Sequence, residues 1–135
     1  MDFLQETFES FNPQLDQDAA IKFALNIIFK DERLRELSCL LTDGHEIGAI
    51  EGIPGWVIER RDTGSSGDMP GYADWPENSY FHVYVEPSAF ELPHPHMFLG
   101  IDEFHRYVRK AIEVYLEKNP SKIDMVNLVI PHLHG

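Results

Sequence analysis

The chain predicts an α+β domain: a small antiparallel sheet of about three strands packed against four or five helices. Three stretches carry that expectation. Tyr80 to Glu86 alternates, with Phe81, Val83 and Val85 on one side and Tyr80, His82, Tyr84 and Glu86 on the other, the period of a half-buried strand. Phe104, Tyr107, Val108, Ala111, Ile112 and Tyr115 recur at steps of three and four, a core-facing helical stripe. Ala20, Ile21, Phe23, Ala24, Leu25, Ile27, Ile28 and Phe29 crowd more than one stripe, so their helix is expected to be buried on most sides.

Taken in order, Phe3, Leu4, Phe8 and Phe11 suggest a first helix, stopped at Asn12-Pro13 because a residue before proline is pushed out of the helical region. Asp16 or Asp18 then caps the crowded helix, where the helix dipole also favours acids. Leu34, Leu37 and Leu41 keep the helical step as far as Thr42-Asp43-Gly44, and the stretch 18–42 reads as one helix or as two with a break near Lys30. Ile47–Ile50 and Trp56–Arg61 read as strands joined by the turn Gly52-Ile-Pro-Gly55. Asp62 to Ser79 is a long loop rich in Gly, Ser, Pro and Asp, with Met69, Tyr72 and Trp75 embedded in it.

Beyond the strand at 80–86, Ser88 to Gly100 reads as irregular and contains Pro93-His-Pro-His96. Asp102 is the expected cap of the striped helix, which Asn119-Pro120 ends, and Ser121 caps a short last helix reaching Ile130. No repeat or linker divides the 135 residues, so residues 1–135 are expected to form one domain with one core.

The net charge of −12 disfavours bare nucleic acid and anionic membrane as partners, because phosphates are repelled, and favours a basic protein. From Asp62 to His105 there is no Lys or Arg, while eight carboxylates fall there: Asp62, Asp68, Asp74, Glu77, Glu86, Glu91, Asp102 and Glu103. The single Cys39 cannot form an internal disulfide, and its apolar setting suggests a small buried residue. The acidic start and the lack of a long apolar run are consistent with the cytosol.

Several motifs invite a chemistry and fail on context. Asp62-Thr-Gly-Ser-Ser66 matches the core of an aspartic protease site, but it follows Glu59-Arg60-Arg61 instead of an apolar strand, and the second glycine motif is missing. Read as an EF-hand, the same stretch puts Gly64 and Ala73 where oxygen ligands are required. His94-Pro-His96 and His132-Leu-His134 resemble zinc half-sites, short of the three or four converging ligands that zinc needs. A small metal-dependent hydrolase using His94, His96 and an acid such as Glu91 is the enzymatic alternative; the favoured reading has no cofactor and no catalytic residue.

Tyr80-Phe-His-Val-Tyr-Val-Glu-Pro, the helix start Phe98-Leu-Gly-Ile-Asp-Glu-Phe104 and the amphipathic helix ending at Asn119-Pro120 resemble the immunity proteins of bacterial polymorphic-toxin and contact-dependent inhibition systems. The resemblance covers about forty residues of the C-terminal half. It implies a non-enzymatic cytosolic protein that binds a cognate toxin domain, often a nuclease. The resemblance assigns no binding residue; the acidic, aromatic window itself puts the expected partner-binding surface among Asp68, Tyr72, Asp74, Trp75, Glu77, Tyr80, His82, Tyr84, Glu86 and Glu91. Aromatic side chains would anchor it, with carboxylates around them.

Overall fold

A computed structural model describes residues 14–42, 45–52, 55–61, 74–88 and 90–133. The expected helix over 2–11 and most of the loop from Asp62, with the protease-like and calcium-like motifs, lie outside them. The architecture is α+β, as the periodicities predict, and the described residues form one sheet of four antiparallel strands and four α-helices. The strands are β1 (Ala49–Gly52), β2 (Trp56–Arg60), β3 (Phe81–Val85) and β4 (His96–Leu99), in spatial order β1-β2-β3-β4.

β4 corrects the expectation of about three strands and of an irregular stretch through Gly100. Its four residues pair with β3 in the register Phe81↔Leu99, His82↔Phe98, Val83↔Met97 and Tyr84↔His96. A strand this short shows too little periodicity to be read in isolation, and the run of prolines just before it signals a loop. Its ladder of hydrogen bonds exists only once β3 is in place.

α1 (Ala19–Lys30) is the centre of the core, with nine of its twelve residues buried, so the crowding of its apolar positions meant what it suggested. It packs on the sheet, and Phe29 meets Tyr115 of α3 (Ile101–Lys118) edge-on at 5.2 Å. Phe104 of α3 stacks on Phe81 of β3 at 4.0 Å. Ile50, Trp56, Ile58, Phe81, Val83, Val85 and Leu99 are buried beneath this helical layer.

The caps differ from expectation. Asp18 does stand at the N-cap of α1, but its carboxylate makes no capping hydrogen bond. It accepts one instead from the Tyr107 hydroxyl of α3 at 2.6 Å and pairs with Lys22 at 3.3 Å. Burial, and then this bond to Asp18, hold the Tyr107 phenol above its ordinary range. At α3 the N-cap is Gly100; Asp102 lies within the first turn, where it complements the dipole without capping. Ser121 sits inside a 3-10 turn, Pro120–Lys122, that leads to the single turn of α4 (Ile123–Val126), so the last helix is shorter than the sequence suggests.

Residues 18–42 form two helices. Glu32 takes φ 57°, and the Arg33 amide reaches back to the Ile28 carbonyl at 2.9 Å, before α2 (Leu34–Leu40) begins. Glycine normally occupies such a left-handed position, since a Cβ there costs about 1 kcal/mol. Glu32→Gly is therefore expected to stabilise the fold by roughly 0.5 kcal/mol. The Glu32–Lys122 ion pair it removes, 2.7 Å long, is solvent-exposed and screened. A thermal melt checks this; a lower midpoint for the variant would show that the ion pair outweighs the backbone.

Candidate functional site

With the helices on one side of the sheet, Trp56, Ile58 and Arg60 of β2 and Phe81, Val83 and Val85 of β3 face them, and the residues between face away. The burial of both strands alternates accordingly, and on β3 the sequence assigned each side chain correctly. Register then sets two cross-strand rows on the outer face. Ala49, Glu59, His82 and Phe98 form one; Glu51, Val57, Tyr84 and His96 form the other.

Five rings gather here. Tyr84 stacks on His96 at 4.3 Å, and His82 stacks on Phe98 at 4.6 Å. Trp75 meets Phe98 at 5.4 Å and His82 at 5.8 Å, in both cases edge to face. Such contacts are favourable beyond the area they bury. Thus the C-terminal end of the long loop is pinned to the outer face by its tryptophan, which is half-buried there.

Carboxylates surround the rings. Glu51, Glu59 and Glu86 line a groove of about 230 Å³ with Val57 and Tyr84 between them. The Glu86 side chain lies against Gly55, and its backbone amide donates to the Gly55 carbonyl at 2.8 Å. Asp74 and Glu77 are exposed on either side of Trp75. Glu59 Oε2 is 3.3 Å from His82 Nδ1, and His82 Nε2 is 3.0 Å from His96 Nδ1.

The structure therefore gathers Trp75, His82, Tyr84 and Glu86 on one surface, with Asp74 and Glu77 exposed beside Trp75 in the chain. Asp68 and Tyr72 lie outside the described residues. Tyr80 falls just before β3 and packs partly against the core instead of standing on the open face. Glu91 is exposed elsewhere, next to Gln14, whose amide donates to its backbone carbonyl. Glu51, Glu59, His96 and Phe98 belong to the surface but were missed as parts of it. Glu51 and Glu59 stand outside the cation-free window, and the other two lie on the strand that the sequence concealed.

The remaining motif residues separate. His94 is exposed, while His96 belongs to the aromatic face. His132 lies with its ring 3.5 Å from the Thr42 hydroxyl. Among the described residues no three His, Cys, Asp or Glu side chains are gathered closely enough to hold a metal ion. Cys39 is half-buried, not enclosed as its neighbours suggested, because it lies on α2 beside the buried positions Leu37 and Leu40. No described helix is long and apolar enough to cross a membrane. No family model, curated protein or solved structure matches the chain.

Proposed function

We propose that the outer sheet face is a docking surface for a basic protein, and that the chain neutralises a cognate toxin domain, of the nuclease kind, by covering its working surface. The observation that carries this is the pairing of five clustered rings with Glu51, Glu59 and Glu86 on the side of the sheet away from the helices, with Asp74 and Glu77 exposed next to Trp75 in the chain. A nuclease must attract phosphate, so it presents positive charge. Carboxylates steer such a surface in and orient it, while aromatic side chains supply the desolvated anchor that charges alone do not. The resemblance of the C-terminal half to immunity proteins points the same way.

The test uses the product of the adjacent reading frame, co-expressed and purified, as the binding partner. Asp74→Lys/Glu77→Lys is expected to slow association by about tenfold at low salt, with dissociation little changed, since charges at the rim act on encounter. Both residues are exposed, so thermal stability should stay within about 0.5 kcal/mol of the parent. An unchanged association rate at low salt would remove the acidic face from the interface.

A further inference from the structure

We propose that Glu59, His82 and His96 form a proton-operated release device on this face: neutral at the histidines near neutrality, the triad takes up a proton in mild acid and weakens the hold on a basic partner. This rests on the docking reading above and adds its regulation.

The geometry singles out a shared proton. The two imidazole planes differ by 13°, and their centroids are 5.3 Å apart with the facing nitrogens at 3.0 Å. That centroid separation is about the N···N distance plus one ring radius at each end. The rings therefore meet edge to edge in nearly one plane, with their nitrogens head-on. A chelated metal would need both lone pairs to converge on a third point, whereas a hydrogen bond needs them in line. One of the two nitrogens must donate, which ties the tautomers together.

The carboxylate then orders the chain of bonds. His82 Nδ1–H donates to Glu59, which leaves His82 Nε2 as acceptor for His96 Nδ1–H, and leaves His96 Nε2 as the open basic site. His96 is exposed, so a solvent proton can bind there, forming one N–H bond. As His96 Nδ1–H shifts to His82 Nε2, the charge moves to the ring that touches Glu59. A second proton would set two imidazolium rings against each other, so the pair titrates as a coupled unit. Partial desolvation of its ring, and next the neighbouring His82, hold the largely exposed His96 below the ordinary histidine range.

The charged and titratable surroundings are Glu59 on β2 and Glu51 on β1, with Tyr84 on β3 and Glu86 just beyond its end. Asp74 and Glu77 are exposed beside Trp75 in the chain, and His94 is exposed just ahead of β4. Imidazole is the side-chain type that ordinarily changes charge between neutral and mildly acid solution.

Two measurements at fixed ionic strength test the proposal, with deca-arginine as the basic probe. Imidazole nitrogen NMR should show His82 and His96 titrating in two coupled steps, with His82→Gln altering the titration of His96. Deca-arginine binding should weaken by about fivefold from pH 7.5 to 5.5, the scale of one charge lost near a surface ligand. The dependence should vanish in His82→Gln/His96→Gln and persist in His94→Gln. Independent titration of the two rings, or an equal pH dependence in the double variant, would overturn the device. Coupled titration with no deca-arginine binding at any pH would overturn the basic-partner reading, and the release function with it, while leaving the shared proton intact.

Discussion

Arg60→Met is expected to destabilise the protein by about 3 kcal/mol, a large part of the stability of a domain this size. Arg60 is the last residue of β2 and points into the core, where it is only 4% exposed. Its Nη1 donates to the carbonyls of Leu40 at 2.7 Å and Cys39 at 3.1 Å, and its Nη2 donates to the carbonyl of His45 at 2.7 Å. Nη1 also makes a longer bond to the Ile47 carbonyl, at 3.3 Å. The first two carbonyls belong to the last turn of α2, where the helix runs out of amides; that of Cys39 also accepts from the Thr42 amide at 3.1 Å.

The guanidinium thus serves as a C-terminal cap delivered from the sheet, favoured also by the negative end of the helix dipole. It joins α2, the 45–47 segment and β2 through one side chain. Methionine keeps the apolar stem but removes the guanidinium donor from the buried Leu40 carbonyl and from the part-buried His45 and Ile47 carbonyls, each loss costing on the order of 1 kcal/mol. Arg60→Lys should recover only part of the loss, because an ammonium cannot reproduce the planar fork. Urea denaturation checks both variants. A loss below about 0.5 kcal/mol for Arg60→Met would mean that water replaces the guanidinium without penalty.

Gly52→Ala is expected to cost about 2 kcal/mol, by overpacking alone. Gly52 is the register partner of Trp56 across the β1–β2 hairpin, and a Cβ placed on it would fall within the indole at Nε1 and Cε2. The ring has little room to retreat. It is 2% exposed, and the Arg33 guanidinium lies 5.5 Å from its centroid on the helical side. If the clash is the cause, Trp56→Leu and Gly52→Ala together should cost clearly less than the sum of the two. Additive losses would place the effect of the alanine elsewhere in the hairpin. Denaturation followed by tryptophan fluorescence reports the change directly, since Trp56 is one of only two tryptophans.

These two residues show where reading the chain reached its limit. The alternation of Trp56, Ile58 and Arg60 puts the arginine on the inner face, but a single sequence does not say that four backbone carbonyls wait there. Nor does a glycine in a turn-like run announce that an indole will lie across it. Both depend on partners that approach from other segments. The surface shows the same division: Trp75, His82 and Tyr84 were legible as an aromatic group near carboxylates, from loop composition and strand alternation. Phe98 and His96 were not, because β4 gains its register only from β3.

By itself the sequence determined the α+β class, the burial of α1, the amphipathic α3 with its stop at Asn119-Pro120, and the face that each residue of β3 presents. Those features follow from local periodicity and from the chemistry of proline, both of which are written into neighbouring residues. Only the tertiary structure decided the fourth strand, the arginine that caps α2, the left-handed break at Glu32, and the meeting of His82 with His96. Each of these depends on a hydrogen bond or a close packing contact whose two halves are brought together by folding. Periodicity indicates which way a side chain points; it does not indicate what the side chain will meet.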